Sequence, residues 1–181
     1  MSFETSSINK NHRLRIERRS IWECPEAQHI CIPTNGSVRV SGNQGSMGAG
    51  LAKQARDLVP DLELKLYRDI LEPFGNVFAF LSEANVDGRA VNLYAFPTKH
   101  SYKDALASMY LIEAGIHRMA SLPTLHKVHY PGSADRVLFA LPLLGCGCGG
   151  LDWGTQVFPM IAHMLYVQYP QHVHNILFVH K

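Results

Sequence analysis

Ten of the fourteen glycines crowd into two short segments, Gly36, Gly42, Gly45, Gly48 and Gly50 in one and Gly145, Gly147, Gly149, Gly150 and Gly154 in the other. Each segment follows an apolar run that reads as a strand and leads into a helical pattern. A strand–loop–helix unit of this kind lets backbone N–H groups approach an anion, and the start of the helix adds partial positive charge. Glycine loops also serve simply as tight turns, but two of them behind two strands of one sheet suit a shared grip on a diphosphate. Neither contains the lysine of Gly-x-x-x-x-Gly-Lys-[Ser/Thr], which excludes a P-loop. Neither combines Gly-x-Gly-x-x-Gly with an acid at the end of a following strand, so an NAD-dependent oxidoreductase fits poorly.

The rest of the pattern agrees with an α/β chain. Strands are predicted over Leu14–Trp22, Ile30–Pro33, Val77–Leu81, Ala90–Phe96, Val137–Leu144 and Asn175–Val179. Helices are predicted over Met47–Leu58, Asp61–Leu71 and Thr155–Tyr169, with Pro159 near the first turn of the last. Asp87-Gly88 between two strand-like runs signals an antiparallel hairpin. A further helix is expected from Ser101, because Ser101 and Asp104 fit a capping box and Ala105, Met109, Ile112, Ile116 and Met119 recur at helical spacing. Such alternation predicts a mixed, largely parallel sheet with helices on both faces, whose ligands sit at the carboxyl ends of the strands.

Composition sets the outer limits. The chain has 181 residues, 46% apolar and 18% charged. That suits one domain burying roughly 70% of its unfolded surface and excludes a disordered or fibrous chain. A net charge of +2 gives no field that would make nucleic acid the default partner. Residues 1–12 read as a flexible arm and 13–181 as a single domain, expected to be a monomer. No run suits a signal peptide or a membrane span, and four cysteines, two of them in Gly145-Cys146-Gly147-Cys148-Gly149, are too few and clustered for a disulfide framework. The expectation is a cytoplasmic protein with reduced thiols. Cys146 and Cys148 lack a second Cys/His pair at metal spacing, and His172 and His174, expected on one face of a short strand, lack a third ligand nearby. Neither a metal nor a cofactor is therefore expected.

Three blocks carry a resemblance. They are Ile30-Cys31-Ile32-Pro33-Thr34-Asn35-Gly36 with Gly45-Ser46-Met47-Gly48-Ala49-Gly50-Leu51, then Phe96-Pro97-Thr98-Lys99-His100, then Leu141 to Trp153. In this order they resemble the macro domain family, the ADP-ribose-binding fold. The branch they resemble holds DNA ADP-ribosyl glycohydrolase antitoxins, phage macro domains and terminal ADP-ribose protein glycohydrolases. The resemblance implies a three-layer α/β/α domain that binds ADP-ribose or an ADP-ribosylated macromolecule, with nucleic acid among the candidate substrates.

It also implies roles. Asn35 would hydrogen-bond the distal ribose, with Thr34 and Gly36 beside it. Gln44, Gly45, Ser46, Met47, Gly48, Gly50 and Leu51 would pass under the diphosphate and ribose, with Pro97 and Thr98 adding to the ligand site. Gly145, Cys146, Gly147, Cys148, Gly149, Gly150 and Leu151 would form the second phosphate loop. Lys99 would attack the distal anomeric carbon, and Asp152 would assist departure of the modified group. The plain alternatives are a solvated Lys99 and an Asp152 that only supplies charge to a helix start. Where many macro domains carry an acid for adenine, this chain has Ser20-Ile21-Trp22-Glu23-Cys24, and Trp22 either stacks on the base or packs in the core. The resemblance implies an ADP-ribosyl glycohydrolase. The alternative is a non-catalytic reader or sequestering module for free ADP-ribose or a related NAD-derived metabolite.

Overall fold

Among the described residues, five of the six strands run parallel, and that arrangement gathers their carboxyl ends along one edge. The computed structural model describes residues 14–122 and 138–180. The arm expected over 1–12 lies outside them, as does Val137. The strands are β1 (Arg15–Arg18), β2 (His29–Asn35), β3 (Ala79–Val86), β4 (Arg89–Lys99), β5 (Phe139–Pro142) and β6 (Ile176–His180). Their order is β1-β6-β5-β2-β4-β3, with β3 antiparallel to β4. Asp87 and Gly88 join that hairpin with φ of 51° and 82°, the two positive values that a type I′ turn demands.

Four helical runs cover the sheet: α1 (Gly50–Leu58), α2 over 62–74, α3 (Met109–Ala120) and α4 over 153–168. Side chains alternate across the pleat, so the central strands feed two cores. Ile30, Ile32, Leu93, Ala140 and Leu177 pack with Ala55, Leu62, Leu66 and Ile70 of α1 and α2. Cys31, Tyr94, Phe96, Phe139 and Phe178 pack on the opposite face with Ile112, Ile116 and Met119 of α3 and Val157, Ile161 and Met164 of α4. Each large apolar side chain among them contributes about 1.5–3 kcal/mol by leaving water. The result is the expected three-layer α/β/α arrangement around a mixed, largely parallel sheet.

Several boundaries differ from expectation, each for a tertiary reason. The strand expected over Leu14–Trp22 stops at Arg18, whose registered partner is His180 at the end of β6, and the chain passes into a 3-10 turn at Ile21–Glu23. Met47 does not begin α1: its N–H donates to Glu63 Oε1 at 3.1 Å, and the helix opens at Gly50. The helix expected from Ser101 begins at Met109, capped by Ser108, whose Oγ accepts from Leu111 N. Ser101 N does donate to Asp104 Oδ2 at 2.8 Å, but the pair closes a loop. The N–H groups of Ala107 and Ser108 are committed to the carbonyls of Gly149 and Thr98, both at 2.7 Å, which keeps the helix from starting earlier.

At the other end of the chain, Pro159 lies beyond the first turn of α4. The turn before it widens, so that Phe158 N donates to Trp153 O. His172 sits buried in a 3-10 turn at Pro170–Asn175 rather than on a strand. The side chain of His174 lies outside what is described.

Candidate ligand site

A cavity of about 580 Å³ runs along the edge where β1, β6, β5, β2 and β4 end. The strand order becomes the order of its lining. Arg19, Ser20 and Ile21 follow β1, and Val179 and His180 end β6. Pro142 and Leu143 leave β5, Thr34 and Asn35 end β2, and Thr98 and Lys99 end β4. From β1 to β4 are four inter-strand steps of ~4.8 Å, a span of about 19 Å, long enough for an extended, dinucleotide-sized ligand.

The first glycine loop crosses the middle of this span and is held by its own polar groups. Asn35 Oδ1 accepts from Ser37 N at 2.9 Å and Asn35 Nδ2 donates to Ser46 O at 3.1 Å, so this side chain ties the two ends of the loop together. Glu63 anchors the far side. Its carbonyl accepts from Gly45 N, and its buried carboxylate accepts from Met47 N and, at 2.6 Å, from Arg39 Nη2.

The glycines of this loop divide into two kinds. A Cβ on Gly36 would lie 2.8 Å from His100 O, and one on Gly45 would lie 2.6 Å from the Leu66 side chain; neither residue lines the cavity. Gly48 and Gly50 do line it, with Ser46, Ala49 and Leu51, and a Cβ on Gly48 would meet nothing within 4 Å. Met47 is buried in the core, and Gln44 gives its carbonyl to Arg39 N within the loop, so both lie off the lining.

The second loop is wound more tightly. Gly145 and Gly150 have φ of 73° and 66°, Leu151 N donates to Gly145 O at 3.0 Å, and a Cβ on Gly149 would fall 2.3 Å from that same carbonyl. Gly145, Gly147, Cys148 and Gly149 line the cavity; Cys146, Gly150 and Leu151 do not. The Cys146 thiol donates to Leu144 O. Burial, with a smaller push from the Asp152 charge, raises it to about 11, so it stays protonated at neutral pH.

Lys99 lies at the β4 end, its Nζ donating to Asp104 O at 2.7 Å. Asp152 is exposed and off the lining. It caps α4, its Oδ1 accepting from Thr155 N and Thr155 Oγ1 at 2.7 and 2.6 Å, and these bonds hold the carboxyl below its usual range. Pro97 is buried beside Thr34 in the sheet and does not reach the cavity. Trp22 is off the lining too: its Nε1 donates to Gln54 Oε1 at 2.8 Å.

Arg19, Ser20, Gln54, Tyr102, Val179 and His180 were not among the expected ligand residues, yet all six line the cavity. Most of them share one signal, a position at or just after the carboxyl end of a parallel strand, which becomes informative only when the strand order is known. Gln54 follows Gly50 by four residues and so lies on the same face of α1. Arg19 and Lys99 bring cations to opposite ends, and among the described residues no aspartate or glutamate lines the cavity. Among the described residues, no three His, Cys, Asp or Glu side chains are grouped to hold a metal ion.

The described architecture is that of a macrodomain. The solved macrodomain of Mycobacterium tuberculosis DarG matches 94% of this chain and 99% of its own, with a TM-score of 0.64 and 17% identity. Thermosipho africanus DarTG, solved in complex with ADP-ribose, matches 88% of this chain with a TM-score of 0.61 and 21% identity. The match takes in 39% of the Thermosipho chain. No protein-family model matches the sequence, and no curated protein does.

Proposed function

We propose that this chain binds ADP-ribose along the strand ends and removes it from a modified macromolecule, DNA or protein. One observation carries the reading: residues of two separate glycine loops, Gly48 and Gly50 from one and Gly145, Gly147 and Gly149 from the other, border a single cavity between two cationic ends. That arrangement suits a diphosphate in the middle with a nucleoside on one side and a sugar on the other. The fold likeness to a DarG macrodomain and to a protein solved with ADP-ribose supports the choice of ligand.

In this reading the distal ribose lies toward β4, beside Asn35 and Lys99. The Lys99 amine adds to the anomeric carbon, and the macromolecular group departs with the electron pair of the broken bond and a proton given up by that nitrogen. Water then hydrolyses the carbon–nitrogen adduct and restores the amine. Asp152 would have to leave its bonds to Thr155 to assist, so Lys99 is the catalytic candidate within the cavity.

Melting in the presence of ligand tests the binding step. A ligand at a hundred times its dissociation constant adds about 2.7 kcal/mol to folding stability, so ADP-ribose should raise the Tm clearly and AMP, which reaches only part of the span, should raise it less. Equal shifts, or none, would overturn the diphosphate site. For the chemistry, Lys99→Ala should slow release of ADP-ribose from a conjugate at least about a hundredfold while free ADP-ribose still binds. The commitment of Asp152 to the α4 cap favours a second reading, a non-catalytic reader, which becomes the function if the wild type releases nothing from ADP-ribosylated DNA or protein.

A further inference from the structure

The Ser101–Asp104 pair closes a turn instead of capping a helix, and that turn reaches back to Lys99. Ser101 N donates to Asp104 Oδ2 at 2.8 Å and Asp104 N donates to Ser101 O at 3.1 Å, so the two residues lock a β-turn just after β4. The carbonyl of Asp104 then accepts from Lys99 Nζ at 2.7 Å. The turn is also stitched to the first glycine loop. Tyr102 N donates to Ser37 Oγ at 3.0 Å, and Ser37 Oγ donates to Ser101 Oγ at 3.1 Å. Ser37 N in turn donates to Asn35 Oδ1. Asn35 and Lys99, both on the cavity wall, are thereby held by one run of hydrogen bonds.

A main-chain carbonyl is a suitable hold for a nucleophilic lysine. The lysine stem is flexible, and a misplacement of about 1 Å can cost about a hundredfold in rate. Ammonium and neutral amine both donate to a carbonyl, so the nitrogen can stay in place while it loses its proton. The carbonyl carries no net charge, whereas a carboxylate in its place would favour the charged, unreactive form. The carboxylate of Asp104 is used on Ser101 N instead. We propose that Asp104 is the positioning residue of Lys99: its carboxylate shapes the turn, and the turn aims its carbonyl at the amine. The inference rests on the reading of Lys99 as the nucleophile. It makes hydrogen-bond acceptance, not charge, the property of Asp104 that matters.

Asp104→Ala and Asp104→Asn in the full chain test it, because asparagine keeps an oxygen for Ser101 N and alanine keeps none. The first readout needs no turnover: limiting acetic anhydride, with the acetylation of each lysine followed by mass spectrometry. Lys99 should react about fivefold faster in Asp104→Ala than in the wild type, relative to the other lysines, and Asp104→Asn should restore the slow rate. The second readout is release of ADP-ribose from a conjugate. It should slow about tenfold or more in Asp104→Ala and recover in Asp104→Asn, while free ADP-ribose binds both variants within about twofold of the wild type. Unchanged acetylation of Lys99 in Asp104→Ala, or release as fast as in the wild type, would overturn the proposal. So would an Asp104→Asn as slow as Asp104→Ala, with an altered pH profile, since the work would then belong to the charge or proton of the carboxylate. If the wild type releases nothing, the glycohydrolase reading has failed, and the acetylation pattern alone decides whether Asp104 holds the amine.

Discussion

A glycine in a ligand loop can be needed by the ligand or by the loop, and the space around each α-carbon separates the two. Gly48 and Gly147 line the cavity, and a Cβ on either meets nothing within 4 Å. Gly48→Glu and Gly147→Glu should therefore fold with nearly unchanged Tm yet lose ADP-ribose in calorimetry, because a carboxylate then sits where the diphosphate must. Gly149→Ala should fail differently. Its Cβ would press on the Gly145 carbonyl at 2.3 Å, an overlap that backbone must relieve, and a loss of about 1–3 kcal/mol in urea unfolding is expected before any ligand is added. Both glycine clusters stood out in the sequence, but this division did not, since it depends on what each residue faces after folding. Asn35 shows the same limit: a turn residue and a ribose ligand are the same letter, and only its bonds to Ser37 and Ser46 reveal the structural duty.

At the scale of elements, the first glycine loop depends on a side chain from α2 that no motif contains. Glu63 takes the N–H of Met47 with its carboxylate and the N–H of Gly45 with its carbonyl, and it pairs with Arg39 across the loop. Removing the carboxylate leaves a buried N–H unpaired, at a cost of about 1–3 kcal/mol. Glu63→Ala should lower the Tm and also weaken ADP-ribose binding, since Ser46 and Gly48 lie in the segment it holds. Glu63→Gln, which can still accept from Met47, should recover most of both, as melting and calorimetry would record. The elements themselves were largely legible: the Asp87-Gly88 hairpin, the apolar β5 and the helical spacing of α3 follow from local chemistry. Their ends were not. The Ser101–Asp104 pair is a correct reading of local bonding, yet α3 starts at Met109 because backbone groups of 107 and 108 are claimed by Gly149 and Thr98.

For the molecule as a whole, His29 couples the stability of the sheet to pH. It opens β2 with its ring stacked on Phe139 at 4.5 Å, and Nδ1 lies 3.3 Å from Asn92 Nδ2, a donor that suits the neutral imidazole. Burial lowers its pKa from 6.5 to about 4. The unfolded chain therefore binds the proton first, and folding stability falls as the pH drops from 6.5 toward 4, by about 3 kcal/mol, then levels off once the native ring is also protonated. Unfolding by urea across this range should show that decline in the wild type and a much flatter line in His29→Gln. Coincident lines would mean that His29 does not control the acid limb.

The sequence by itself determined the α/β alternation, the hairpin and the two phosphate-type loops, because turn chemistry and apolar periodicity act over a few residues. The tertiary structure decided which residues share the cavity. Arg19 and Lys99 are eighty positions apart and come to opposite ends of one site only because β1 is placed beside β6 at one edge while β4 lies beyond β2. It also decided that Asp152 caps a helix through Thr155 and that Gln54 accepts from Trp22, since each depends on a partner whose position folding sets. Strand order is set by which apolar faces bury together across the whole chain, and no local pattern encodes that choice.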